Sequence, residues 1–127
     1  MKLTVLTLFP SFLEVYFKTS IMGRAVERGL VHPDTVDIRD YANDRHRSVD
    51  DAPYGGGSGM VLMPGPLSGA LDSVNGSERR VVYATPSGRP LTQGYARELS
   101  REESLVFVCG RYEGIDQRVI DRYVDDE

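Results

Sequence analysis

The sequence is poor in the residues that most often announce a function. It holds one cysteine, Cys109, which excludes an internal disulfide and suits a reducing compartment. Its two histidines, His32 and His46, show no metal-ligand spacing with each other or with Cys109. No glycine loop has the form GxGxxG or ends in GK[ST], which disfavours a dinucleotide or nucleoside triphosphate site. No apolar run approaches the length of a membrane span. The apolar start, MKLTVLTLFP, is too short for a signal peptide and reads better as a strand. Repeats and low-complexity tracts are missing too. The net charge of −4 does not advertise nucleic-acid binding, which would have to come from a local patch or a partner chain.

What remains is an ordinary globular composition, 40% hydrophobic and 27% charged over 127 residues, enough for one domain with a real core. Four strands are expected, at Lys2–Leu8, Thr35–Ile38, Arg80–Ala84 and Leu105–Cys109. Helices are expected between and after them. Ser11 would cap one through Phe12, Leu13, Tyr16 and Phe17, and Ile21–Arg28 would form a further piece closed by Gly29. Pro66 would open a helix at its first position and carry Leu67, Ala70, Leu71 and Val74 to a turn at Asn75-Gly76. Thr92 would cap a helix with Tyr95 and Leu99, and Asp116 one with Val119, Ile120 and Tyr123. This alternation implies an α/β fold, a parallel sheet with helices on both faces and no internal domain boundary.

Two strand ends in the second half carry glycine loops, Thr85-Pro86-Ser87-Gly88 and Gly110–Gly114. Ligands of open parallel sheets bind at the carboxyl ends of strands. Glycines there allow a flat ligand such as an adenosine to approach the backbone. Between Gly110 and Gly114 stand a cation, a phenol and a carboxylate: Arg111, Tyr112 and Glu113. Asp40–Met63 shows no period and is the longest irregular stretch, as functional loops often are. At its start lies the densest basic cluster in the chain, Arg39, Arg45, His46 and Arg47, suited to phosphates. Asp50 and Asp51 follow and could position the arginines or accept from a base edge. Then comes Tyr54-Gly55-Gly56-Gly57-Ser58-Gly59-Met60, whose Tyr54 and Met60 would anchor a folded glycine loop.

Asp50-Asp51-Ala52-Pro53-Tyr54-Gly55-Gly56-Gly57-Ser58-Gly59-Met60 resembles the VDDxPYGGGxGM signature of bacterial tRNA (guanine-N1)-methyltransferases, the TrmD family. Val106 to Asp116 resembles the family's second signature, and Leu8-Phe9-Pro10 and Gly23-Arg24-Ala25 also match. The similarity runs through the whole chain in order. Ser58 stands where many relatives have proline, and Ser87 where glutamine is usual.

The resemblance implies a SPOUT-class sheet with a deep trefoil knot, which topology rules alone would not suggest. It implies a cytoplasmic homodimer that moves a methyl group from S-adenosylmethionine to N1 of the guanosine 3′ of the anticodon, with Mg2+ as a further candidate cofactor. By the same resemblance Tyr83, Ala84, Thr85, Pro86, Ser87 and Gly88, with Gly110, Tyr112, Glu113 and Gly114, line the donor pocket. Glu113 lies near the target guanine, with Arg111 as a second candidate for the chemistry. Arg24, Arg45, His46, Asp50 and Tyr54 lie on the tRNA side. Residues 1–127 would form the N-terminal donor-binding domain, with the knot incomplete within them. The knot-closing loop, a general-base aspartate and a C-terminal tRNA-binding domain would lie beyond Glu127. The other reading of the residues is a non-catalytic nucleotide- or RNA-binding module of flavodoxin-like or Rossmann-like form, which would bind FMN or NAD.

Overall fold

A computed structural model describes all residues from Met1 to Glu127. Four parallel strands form the main sheet: β1 (Lys2–Thr7), β2 (His32–Asp37), β5 (Arg80–Ala84) and β6 (Ser104–Cys109), in the order β2-β1-β6-β5. The central place of β6 explains its unbroken apolar run. It is flanked by β1 and β5, and Leu105, Val106 and Val108 are almost fully buried. Between β2 and β5 a second ribbon pairs β3 (Asp50–Asp51) with β4 (Val61–Leu62), antiparallel.

Helices cover both faces of the main sheet, as expected from the alternation. On one face, α3 (Pro64–Ser73) and α5 (Gln117–Tyr123) bury Leu67, Ala70, Leu71, Val119 and Tyr123 against Leu6, Val81, Tyr83, Val106 and Val108. On the other, α4 (Gln93–Leu99) packs Tyr95 and Leu99 on Val82 and Leu105. Fully burying one such side chain contributes roughly 1.5–3 kcal/mol. The helices α1 (Pro10–Phe17) and α2 (Ser20–Glu27) connect β1 to β2.

Several boundaries differ from the sequence expectation. No Ser11 cap forms. Pro10 itself opens α1 after Phe9, because its fixed φ suits the first turn and its missing N–H would have had no partner there. Likewise Pro64, not Pro66, begins α3. The second strand starts earlier, at His32, and stops at Asp37. Ile38 leaves the sheet into a 3-10 turn, Ile38–Tyr41, capped by the Asp37 carboxylate, and is fully buried from there. The Gly29 expectation holds: at φ +68, its N–H donates to Val26 O and that of Leu30 to Ala25 O, a Schellman closure of α2. Thr92 and Asp116 cap α4 and α5 through the N–H groups of Tyr95 and Arg118.

Nothing in the sequence pattern marks the outer edge of β5 as occupied. Residues Asp125–Glu127 run beside it, with Asp125 N–H donating to Val81 O, Tyr83 N–H to Asp126 O and Arg89 N–H to Glu127 O. The Asp126 carboxylate accepts from Arg80 Nε at 2.7 Å and from Arg89 at 2.6 Å. Arg80 also reaches Glu102 and Glu98. The Arg80 hydrogen bond is the main reason the Asp126 carboxyl lies below the usual carboxylate range. Gly88 backs directly onto the Glu127 backbone, so its missing side chain makes room for this segment.

Candidate active site

The carboxyl ends of β5 and β6 open into one cavity of about 390 Å3, a size within the range of small-molecule sites. It is lined by Tyr83, Ala84, Thr85 and Pro86 from one loop and by Gly110, Arg111, Tyr112, Glu113 and Gly114 from the other. Nine of the residues nominated from the sequence therefore share one cavity. Ser87 is not among its lining residues; its hydroxyl pairs with Thr85 Oγ1 at 3.1 Å. Gly88 faces instead a larger groove of about 640 Å3 beside α4, whose walls include Leu91, Tyr95, Leu99 and Phe107. That groove is mostly apolar, though Arg89 and Glu127 are among its walls, and it shares Tyr83 to Pro86 with the smaller cavity. The chemistry-bearing side chains converge on the smaller cavity.

The reason for glycine at 110 differs from the one the sequence suggested. A Cβ there would lie 2.8 Å from Tyr83 Cε2 and 3.0 Å from its hydroxyl. Gly110 is small because the Tyr83 ring, itself buried, occupies the space. Gly114 is the conformational glycine of the pair, at φ +136. Tyr112 also has positive φ, +60, uncommon for a residue with a side chain and costly by about 1–3 kcal/mol. Strain of that kind clusters at functional sites. The Arg111 guanidinium lies 5.3 Å over the Phe9 ring, which holds a cation at the mouth of the cavity. The Glu113 carboxylate makes no hydrogen bond or ion pair within the chain, so both oxygens are free to accept. Cys109 is half-buried, and burial pushes its thiol up, which suits a packing role and not a nucleophile.

The long loop is built, not slack. Val49 and Leu62 bury fully on either side of the glycines, and Met63 N–H donates to Val49 O. Tyr54 and Met60 are not its anchors: Tyr54 is fully exposed and Met60 partly so. Gly55, Gly56, Gly57 and Gly59 all have positive φ, a path that side chains would oppose. This path brings the loop against the Gly110–Gly114 segment. Glu113 N–H donates to Met60 O at 2.9 Å, Leu62 N–H donates to Gly114 O at 3.0 Å, and Leu62 pairs with Ile115. The two motif loops, far apart in sequence, are thus joined by backbone hydrogen bonds.

The basic cluster divides. Arg47, at φ +53, turns back to pair with Asp40 and to donate to Arg39 O, so it braces the loop. The Asp44 carboxylate accepts from the Ser48 hydroxyl and from the N–H groups of Ser48 and His46; the Ser48 bonds hold its carboxyl below the usual range. Arg45 and His46 stand exposed on this turn. Asp37 and Asp40 engage the arginine, where Asp50 and Asp51 were expected to; Asp51 instead accepts from Ala52 N–H. Arg24 lies elsewhere, in a shallow depression on α2 with Ile21, Arg28 and Leu30.

With this geometry, comparison with known proteins becomes decisive. A sequence model of the family described as tRNA (Guanine-1)-methyltransferase TrmD matches residues 1–127. The chain belongs to the TrmD family. Its relatives include proteins named tRNA (guanine-N(1)-)-methyltransferase from Treponema denticola, 65% identical over 127 residues, and from Treponema pallidum, 59% identical over 127 residues. Each alignment covers 100% of this chain, but 52% and 51% of the respective relative. The chain therefore spans about half the length of these TrmD relatives. A crystal structure of tRNA (m1G37) methyltransferase from Aquifex aeolicus superposes with a TM-score of 0.88 at 38% identity, covering 98% of this chain and 57% of that one. The parallel sheet with its helices is thus the TrmD fold expected from the sequence. The FMN- or NAD-binding module is not favoured.

Among the residues that sequence reasoning missed, Phe9 and Gly59 matter most. In the sequence Phe9 stands only within the matched Leu8-Phe9-Pro10, and nothing there reveals its stacking with Arg111. Gly59 was one glycine among four.

Proposed function

We propose that residues 1–127 form the donor-binding domain of an enzyme that transfers a methyl group from S-adenosylmethionine to N1 of the guanosine 3′ of the anticodon in tRNA. The observation that carries this reading is the joining of the two signature loops by the bonds of Glu113 to Met60 and of Leu62 to Gly114, with the second loop lining the cavity at the ends of β5 and β6. Strand-end loops suit the donor, and the long loop supplies a surface for tRNA.

The cavity fits the donor in size and in its exposed backbone at the ends of β5 and β6. Bound there, S-adenosylmethionine supplies a methyl group already activated as a sulfonium. Tyr83 to Pro86 and Gly110 to Gly114 hold the donor, and the Tyr83 ring fixes the floor. N1 of guanine carries a proton that must leave as the methyl arrives. Glu113 offers an unpaired carboxylate that orients the base by accepting from it. Arg111, held by Phe9, offers donors for charge developing at O6. Removal of the N1 proton falls to the aspartate that the family pattern places outside residues 1–127. The structure gathers no group of three or more His, Cys, Asp or Glu side chains, so a Mg2+ ion would depend on tRNA phosphates and water for most of its ligands.

A homodimer belongs to the same proposal. Phe9, Phe12, Val15 and Tyr16 of the α1 region, with Ile21 of α2, are between 51% and 74% exposed, an apolar surface that a second copy would cover. No helix is long and apolar enough to cross a membrane, and we place the enzyme in the cytoplasm, with its tRNA substrate.

The test is labelled methyl transfer, by the enzyme that carries this chain, to tRNA with guanosine or adenosine 3′ of the anticodon. Methylation of the guanosine form alone is expected; equal labelling, or none, contradicts the proposal. In the same assay Arg45→Ala should weaken tRNA binding and lower the slope of log affinity against log salt by about one unit. Donor affinity should not change. Arg47→Ala is a different variant, because it unties the loop from Asp40. An unchanged slope for Arg45→Ala would remove that residue from the tRNA surface.

A further inference from the structure

Glu113 has no hydrogen bond or ion pair to fix its carboxylate, yet its side chain has a defined place. It lies across Gly59 of the glycine loop. A Cβ on Gly59 would sit 2.5 Å from Glu113 Cγ, 3.0 Å from its Oε1 and 3.1 Å from its Cδ. The other glycines of this loop meet nothing: Cβ atoms on Gly55, Gly56 or Gly57 would find no atom within 4 Å. All four share a left-handed backbone, so conformation alone does not single out Gly59. What distinguishes it is the carboxylate side chain above it.

We infer that Gly59 is a positioning residue, whose missing side chain is the seat that aims Glu113 into the methyl-donor cavity. This rests on the reading of Glu113 given above and adds a means of control to it. A seat made by van der Waals contact holds the aliphatic part of Glu113 and leaves both oxygens unspent for the acceptor base. The backbone bond from Glu113 N–H to Met60 O, the residue after Gly59, fixes the other end of the same contact. The loop that bears Tyr54 and follows Asp50 therefore sets the carboxylate at the reaction centre. A tRNA that moves the glycine loop moves Glu113 with it. The coupling is mechanical and local, through one residue and one hydrogen bond.

The loop offers its own control. Gly56 has the same φ as Gly59, +87, but open space around it. Gly56→Ala reports the cost of a side chain on this backbone; Gly59→Ala adds the collision with Glu113. The experiment measures single-turnover methyl transfer and calorimetric affinity for S-adenosylhomocysteine in the enzyme that carries this chain. The variants are Gly56→Ala, Gly59→Ala, Glu113→Ala and the double variant Gly59→Ala with Glu113→Ala. Gly59→Ala should transfer methyl groups at least about tenfold more slowly than Gly56→Ala, since small misplacements of reacting groups are costly. Its affinity for S-adenosylhomocysteine should match the parent's. Once Glu113 is alanine, adding Gly59→Ala should cost no more than Gly56→Ala does, because the colliding side chain is gone. Equal losses for Gly56→Ala and Gly59→Ala would overturn the seat, as would an undiminished Gly59→Ala effect in the Glu113→Ala background. If Glu113→Ala alone transfers at the parent rate, the chemical reading of Glu113 fails separately. The seat is then judged by unfolding midpoints: coupled losses for the Gly59 and Glu113 changes support it, and strictly additive ones overturn it.

Discussion

Glu113→Gln, in the enzyme that carries this chain, is expected to lower the single-turnover rate of methyl transfer about 100-fold or more, the range typical of losing one preorganised group that binds the transition state. Its affinity for S-adenosylmethionine should stay at the parent value. The substitution keeps the shape of the side chain and its place across Gly59, and it removes the charge. One carboxylate oxygen becomes an amide donor, which opposes the N–H of the acceptor base instead of accepting from it. An interaction made with the base as its proton leaves appears in the rate at saturating substrate and not in donor binding. The geometry supports this separation, because the carboxylate takes no part in the chain's own hydrogen bonding. A parent rate for Glu113→Gln would remove Glu113 from the chemistry.

Gly110→Val should abolish donor binding and lower stability by about 1–3 kcal/mol, the usual range for overpacking a core site. A β-branched side chain at Gly110 meets the Tyr83 ring, where even a Cβ lies 2.8 Å from Cε2. Tyr83 is 4% exposed and forms part of the main core, so its ring has nowhere to retreat except toward the cavity. The variant therefore loses the cavity by displacing its floor. Calorimetry with S-adenosylhomocysteine checks the first effect, and the thermal unfolding midpoint checks the second. Undiminished affinity would show that the donor does not rest on Tyr83 and Gly110.

The alternation of strands and helices was legible because β6 lies in the middle of the sheet, and burial on both faces leaves an unbroken apolar run. The caps at Thr92 and Asp116 were legible because each is a local hydrogen bond between a short side chain and an N–H within three residues. Proline placement misled twice: Pro10 and Pro64 each open a helix that the sequence alone began later. The loop joining Met60 to Glu113 was invisible, because the bonds use backbone groups that every residue has. The role of Gly110 was misread for a similar reason: a glycine does not say whether a ligand or a buried tyrosine fills its space. Arg47 stands beside Arg45 in sequence, and only the fold shows that Asp40 pairs with one and leaves the other without an ion pair.

The central claim is that the donor sits where the β5 and β6 loops meet the glycine loop. Amide hydrogen exchange of the enzyme with and without S-adenosylhomocysteine tests it directly, since exchange reports protection residue by residue. Protection should concentrate at Ala84–Thr85 and Gly110–Gly114 and extend to Leu62, whose N–H donates to Gly114 O. Protection confined to the apolar groove of Leu91, Tyr95 and Phe107, with Gly110–Gly114 unchanged, would contradict it.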